Sequence, residues 1–295
     1  MRELSILSGK GGTGKTSVAA AFAALAHRPV LVDLDVDAAN LALLVEGEPL
    51  ERHETMGGQE AVIDPAVCVA CGACEPACAF RAIETDASGL ARVVESLCEG
   101  CGVCAHVCPA GAVRLDPCAI GRWWRASTPL GPLFHAELAA GGENSGLLVA
   151  EVRGAAQAAV RAGAGDLLLA DGPPGIGCPA LSALTGTTLA VLVTEPTPSG
   201  RHDLGRIIDL CAHFHRPAAV ILNKADLNPA LSAEIEAFCH ERGHPVVGRL
   251  PFTPEAMTAV VEGRSLLSVT DQGMDQAVRS AWTAVEALLA TLPES

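Results

Sequence analysis

Gly9-Lys10-Gly11-Gly12-Thr13-Gly14-Lys15-Thr16 stands between an apolar stretch, Leu4-Ser5-Ile6-Leu7, and an alanine-rich run over residues 16–26. The segment satisfies G-x4-G-K-[ST]. Its glycines let successive backbone N–H groups turn toward phosphate oxygens, Lys15 reaches toward the β/γ-phosphates, and the Thr16 hydroxyl is placed to ligate Mg²⁺. The run that follows adds the positive end of a helix dipole. A strand before and a helix after are the context this loop requires. The stretch therefore predicts a nucleotide-binding α/β domain.

Working outward, residues 30–34 read as a second strand that ends in acids. Near Gly57-Gly58 this rhythm stops, and it resumes after residue 118 with a hairpin near Gly131-Pro132. Beyond it, 147–162 reads as helix, 166–170 as strand, 179–184 as helix and 189–194 as strand. Strands at 218–223 and 246–250 flank a helix around 231–242, and 276–292 is an amphipathic helix. Apolar strands alternating with helices specify a doubly wound, mostly parallel sheet. Residues 1–57 and 119–295 belong to that one sheet, so 58–118 is an inserted small α+β domain.

Eight of the twelve cysteines lie in the insertion, as Cys68, Cys71, Cys74 and Cys78, then Cys98, Cys101, Cys104 and Cys108. Both arrays read C-x2-C-x2-C-x3-C, the spacing that wraps cubane iron–sulfur clusters. They are the chain's internal repeat, each followed by a short apolar pair, Ala82-Ile83 and Ala112-Val113. Zinc is the alternative, but its sites use separated pairs of ligands. The insertion carries eight acids against three arginines and no lysine.

Composition narrows the setting. The chain is 49% apolar, yet no run approaches the roughly 18 uninterrupted apolar positions of a membrane helix. The N-terminus enters a strand directly, which predicts a cytoplasmic protein without a signal peptide. There, cysteines at tight spacing point to metal rather than disulfides. A net charge of −14 argues against nucleic acid and against an anionic membrane surface. The chain has three lysines, Lys10, Lys15 and Lys224, and all three fall in segments assigned here to the nucleotide.

The extra lysine of Lys10-Gly11-Gly12-Thr13-Gly14-Lys15-Thr16 resembles the deviant Walker A loop of MinD-like ATPases, a family that includes ParA-type partition proteins, the nitrogenase iron protein and Mrp-type cluster carriers. The resemblance extends to Asp33-Leu34-Asp35, Asn40-Leu41, Asp171-Gly172-Pro173-Pro174-Gly175, Asn223-Lys224-Ala225-Asp226 and Pro251-Phe252. It implies a homodimer with ATP at the interface, in which Lys10 reaches the partner's phosphates as an arginine finger does. Asp35 then orients the attacking water, and Thr16, Asp33 and Asp171 serve Mg²⁺. Gly11, Gly12, Thr13, Gly14, Lys15, Thr16 and Ser17 hold the phosphates, with Asn223 and Pro251 at the base. Asp226 resembles a guanine-reading acid, so ATP rests on the family. Asp37 has no assigned role.

The insertion resembles a bacterial two-cluster ferredoxin, and the whole chain resembles MinD-superfamily ATPases carrying such a domain. That likeness includes Cys98-Glu99-Gly100-Cys101-Gly102-Val103-Cys104, Gly142-Glu143-Asn144-Ser145-Gly146 and Thr194-Glu195-Pro196-Thr197. In such ferredoxins the fourth cysteine of each array ligates the other cluster. The resemblance thus implies one [4Fe–4S] cluster on Cys68, Cys71, Cys74 and Cys108, and a second on Cys98, Cys101, Cys104 and Cys78. Cys78 is followed by Ala79 where Cys108 is followed by Pro109.

Cys178, just beyond the Asp171 segment, is weighed between a buried or interfacial thiol and a ligand to a third, intersubunit cluster. Cys118, Cys211 and Cys239 read as packing residues, and His213 and His215 do not converge with Cys211 on one helix face. With Arg279 as its single base, the C-terminal helix does not read as a membrane anchor. Three functions remain: an ATP-gated electron carrier to an unknown protein partner, an Fe–S or metallocofactor assembly ATPase, and a partition or positioning ATPase with a sensing module.

Overall fold

The computed structural model describes residues 1–139 and 145–294. Residues 142–144 of the resembling segment lie outside the described residues. The chain runs β1 (Arg2–Ser8), α1 (Lys15–Leu25), β2 (Pro29–Asp33), α2 (Leu41–Val45) and β3 (Glu48–Ile63). Then follow α3 (Cys74–Ala77), β4 (Ile83–Thr85), β5 (Ala91–Val93), α4 (Val103–Val107), β6 (Val113–Thr128) and β7 (Gly131–Leu138). The remainder is α5 (Ser145–Arg161), β8 (Leu167–Pro174), α6 (Cys178–Leu184), β9 (Leu189–Thr194) and α7 (Pro198–His213). It closes with β10 (Ala218–Leu222), α8 (Pro229–Glu241), β11 (Val246–Arg249), α9 (Pro254–Val261) and α10 (Gln272–Thr291).

Nine strands form one sheet in the order β11-β10-β9-β1-β8-β2-β7-β6-β3. From β11 to β7 neighbouring strands run parallel. Every residue of β2, β9 and β10 is buried, as expected of a parallel sheet covered on both faces. The apolar face of α10, with Val278, Trp282 and Val285, is buried in this core, and Trp282 packs 5.1 Å from Phe22 of α1. That helix is a core element. Among the described residues no helix is long and apolar enough to cross a membrane.

The chain divides into two compact units. The larger comprises Met1–Arg52, Trp123–Ala136 and Val149–Ser295; the smaller comprises His53–Arg122 and Glu137–Leu148. Residues 58–118 fall wholly within the smaller unit. Gly57-Gly58, read from sequence as a break, instead lies inside the 16-residue β3. Strand pairing overrides the glycines' low β-propensity there. A Cβ at Gly57 would come within 2.6 Å of Leu147, and one at Gly58 within 2.7 Å of the Cys118 sulfur. The glycines mark close packing rather than a turn.

In the smaller unit the two arrays are related by a repeat of thirty residues. Positive φ angles recur at Ala70 and Gly100, Gly72 and Gly102, and Arg81 and Gly111. Asp64 N donates to the Ala112 carbonyl at 2.8 Å, while its repeat mate Val94 N donates to Ala82 at 2.7 Å. Each half therefore pairs with the other, as a local two-fold requires.

Candidate functional site

The carboxyl ends of the parallel strands converge on one place, where doubly wound sheets bind ligands. β1 leads into the phosphate loop. β2 ends at Asp33, β8 carries Asp171, β9 ends before Glu195, and β10 ends before Asn223. A cavity of about 640 Å³ opens there. Gly11, Gly12, Thr13, Gly14, Lys15, Thr16, Ser17, Asp35, Asn223 and Pro251 all line it.

Gly14 caps α1 with φ 90°, a left-handed value that favours glycine. A Cβ at this position would also lie 2.3 Å from Asn223 Nδ2. Asn223 Nδ2 donates to the Thr13 carbonyl at 2.8 Å, and its Oδ1 accepts from Lys224 N at 2.9 Å. Its amide thus ties the loop to the end of β10. Asp226 Oδ1 accepts from Phe252 N, which braces the turn carrying Pro251.

Beneath the loop, Lys15 Nζ donates to Asp171 Oδ1 at 2.8 Å and lies 3.6 Å from Asp35. Asp33 and Asp171 have no exposed surface. Asp33 accepts from the backbone N–H groups of Asp35 (3.0 Å) and Leu41 (2.9 Å). Burial, reinforced by the charge of Asp171, pushes the Asp33 carboxyl up to about 8. Burial also raises Asp171 and Asp35, against the pull of Lys15. For Lys15 burial works downward, but Asp171, Asp35 and Asp33 outweigh it and hold the ammonium above its ordinary value.

Three carboxylates around one lysine are short of positive charge. Asp171 Oδ2 is buried without a hydrogen-bond partner, as is the Thr13 hydroxyl. Mg²⁺ fits this donor set, since it takes one or two carboxylates with waters and substrate phosphates rather than an all-protein cage.

Lys10 does not join this cluster. Its ammonium lies 2.7 Å from Glu195 Oε1 and donates to Ser199 Oγ (3.0 Å) and Thr197 Oγ1 (3.3 Å). Sequence reasoning passed over Glu195 as a site residue; its one signal is its place in the resembling Thr194–Thr197 segment. It also missed an apolar wall of the cavity that includes Leu43, Met257, Val260, Leu266 and Met274. Nothing in the spacing of these distant apolar positions announces that they meet.

The smaller unit has two hollows. One is lined by Cys68, Cys71, Cys74 and Cys108; the other by Cys78, Cys98, Cys101 and Cys104. Cys74 and Cys104 are buried in its core, whereas Cys71 and Cys101 are exposed. Backbone N–H groups donate to three of the sulfurs: Ala61 to Cys98 (3.4 Å), Ala82 to Cys78 (3.3 Å) and Ala112 to Cys108 (3.3 Å). The Ala112 N–H holds the Cys108 thiol below its ordinary range. Among the described residues no three His, Cys, Asp or Glu side chains converge tightly enough for a single metal ion.

Outside these sites, Cys211 and Cys239 are buried, and burial pushes their thiols up to about 12 and about 11. They are inert packing residues. Cys118 is half-buried. Cys178 at the start of α6 is exposed rather than buried, although Ala180, two residues on, is packed in the interior.

Loop, carboxylates and parallel sheet together define a P-loop nucleotide-binding domain. The CobQ/CobB/MinD/ParA nucleotide binding domain matches residues 4–266, and the chain belongs to that family of P-loop ATPase domains. An uncharacterized protein of Methanocaldococcus jannaschii is 33% identical over 229 residues, 77% of this chain and 79% of that protein. The fold is similar to septum site-determining protein MinD of Pyrococcus horikoshii, solved with Mg-ADP (TM-score 0.56, 18% identity, 98% of each chain). It is similar also to the MinC:MinD cell division complex of Aquifex aeolicus (TM-score 0.57, 18% identity, 97% of this chain and 96% of that one).

Proposed function

We propose that this chain is an ATP-hydrolysing, homodimeric nucleotide switch coupled to two [4Fe–4S] clusters, which pass electrons to a protein partner. The observation that carries the reading is the pair of four-cysteine hollows, each taking three sulfurs from one array and the fourth from the other. Four cysteine sulfurs gathered around each hollow, with backbone N–H groups directed at three of the eight, suit a cluster larger than one metal. The clusters would supply one-electron chemistry. The protein's part is to hold them, tune them through those N–H donors, and leave Cys71 and Cys101 at the surface where a partner can approach.

In the larger unit, Lys15 and the loop N–H groups bind and orient the phosphates, and Thr16 with Asp171 holds Mg²⁺. Asp35, half-buried at the cavity wall, positions a water for attack. Lys10 acts in trans. Lys15→Ala and Lys10→Ala should each abolish hydrolysis, and full turnover by Lys10→Ala would sink the deviant-loop mechanism.

The deciding experiment is an anaerobic redox titration followed by EPR, with and without a non-hydrolysable ATP analogue. The holoprotein should carry about eight irons per chain. A potential shift of about 60 mV with the analogue corresponds to a tenfold bias between one-electron redox states. Eight irons with unmoved potentials would leave the clusters uncoupled from the switch. Iron absent after anaerobic reconstitution would remove the cluster reading altogether.

A further inference from the structure

Glu195 joins the two lysines that the phosphate cluster does not use. Its Oε1 lies 2.7 Å from Lys10 Nζ, and its Oε2 accepts from Lys224 Nζ at 3.0 Å. Lys224 also donates to the Gly12 carbonyl at 3.4 Å. The carboxylate is 14% exposed and Lys10 28% exposed, so the pair is partly withdrawn from water. Burial would raise the Glu195 carboxyl, but Lys10 and Lys224 outweigh it and keep it below its ordinary value.

The carboxylate's footing is rigid. The Glu195 carbonyl accepts from Thr197 N at 2.8 Å, and Thr197 caps α7 by accepting from Gly200 N at 3.0 Å. A Cβ on Gly200 would meet the Glu195 carbonyl oxygen at 2.4 Å, so the turn has no slack. Lys10, by contrast, is flanked by Gly9 and Gly11. The Lys10 carbonyl accepts from Ser8 Oγ at 2.8 Å and a Cβ on Gly9 would meet Asp203 at 2.6 Å, so what can swing is the lysine's long, partly exposed side chain rather than its backbone.

We propose that Glu195 is a positioning residue that latches Lys10 within its own chain, so that the lysine is released only when a partner's nucleotide phosphate competes for its ammonium. The inference rests on the reading of Lys10 as a residue acting in trans. In the latched state Glu195, Ser199 and Thr197 satisfy the ammonium. On release, Lys224 remains to neutralise Glu195, so no uncompensated carboxylate is left behind. Lys224 thereby makes the release possible without moving the turn.

The test uses the full chain and a non-hydrolysable ATP analogue, reading the monomer–dimer distribution by analytical ultracentrifugation. Glu195→Gln keeps the shape and removes the charge. It should lower the analogue concentration for half-dimerisation by about fivefold, the scale of one partly exposed ion pair. Ser199→Ala removes a neutral hydrogen bond from the same ammonium and should shift the midpoint the same way by less. With three lysines in the chain, amine acylation read by mass spectrometry resolves each one. In nucleotide-free protein, Lys10 should label faster in Glu195→Gln than in wild type, while buried Lys15 stays protected.

A midpoint unchanged or raised in Glu195→Gln, with Lys10 labelling unchanged, overturns the latch while leaving the trans lysine standing. If Glu195→Gln does not fold, Ser199→Ala decides, and an unmoved midpoint there overturns the proposal. If Lys10→Ala dimerises and hydrolyses ATP as wild type does, the trans reading falls and the latch with it.

Discussion

Asp33 shows what a single residue reveals here. It ends β2 fully buried, both oxygens receive backbone N–H groups, and Lys15 pairs with its neighbours Asp171 and Asp35 instead. In an unfolded chain it titrates near its ordinary 3.8; folded, it is pushed up to about 8. Between those values the native state holds a proton that the unfolded state has lost. The stability this group contributes is complete below 3.8 and is lost as pH rises toward about 8. Nucleotide-free, Mg²⁺-free protein should therefore melt at falling temperature across that window, and Asp33→Asn should flatten the slope. Parallel melting profiles for the two proteins would refute the assignment. Sequence made Asp33 a Mg²⁺-shell acid by resemblance, but it could not show that this acid is buried as fully as Asp171 without the direct lysine contact that Asp171 has. That depends on which strands lie beside β2.

At the scale of elements, the base of the sheet holds a buried ion pair. Arg153 of α5 donates from Nε to Glu3 Oε1 at 2.6 Å and from Nη1 to the Ser182 carbonyl at 3.1 Å, while Gln157 donates to Glu3 Oε2 at 2.9 Å. Glu3 has no exposed surface. Arg153→Ala leaves that carboxylate buried and half-paired, so urea unfolding should register a loss of about 3–5 kcal/mol. A loss below about 1 kcal/mol, the scale of an exposed pair, would mean that Glu3 finds water or a proton. The arrays invite a second comparison. Gly100 has φ 61°, and a Cβ there would meet the Gln59 carbonyl oxygen at 2.2 Å. Its repeat mate Ala70 keeps a Cβ at φ 54°. Gly100→Ala should impair iron incorporation, whereas Ala70→Gly should be neutral or stabilise by up to about 1 kcal/mol. Iron content and melting temperature of the reconstituted variants check both. The repeat is legible in the sequence, but this asymmetry is not, because it depends on which backbone passes each turn.

At the scale of the whole molecule, two units with separate cores hold the nucleotide site and the cysteine arrays. The larger has its own aliphatic core around the central sheet; the smaller is cored by Ala61, Cys74, Ile83, Cys104 and Val113. A core built around these side chains, two of them cysteines, offers little apolar area, and the proposed clusters would add the stability it lacks. Removing iron with a chelator should raise amide exchange across the cysteine arrays while nucleotide affinity in the larger unit persists. Loss of nucleotide binding in step with iron would show that the site needs the clusters to form.

The features that follow from the sequence alone are those written in short spacings: the phosphate loop between strand and helix, the two cysteine arrays, and alternating apolar runs that demand a parallel sheet. Each is local, so a few dihedrals or one turn of helix translate it directly into geometry. What tertiary structure decided joins residues far apart in the chain. It brings Cys108 to the hollow of Cys68, Cys71 and Cys74, and seats Lys15 between Asp35 and Asp171. It carries β3 straight through Gly57-Gly58 and turns Lys10 onto Glu195. Those partners are chosen by strand order and packing, and long-range charge pairing leaves no period in a sequence from which it could be read.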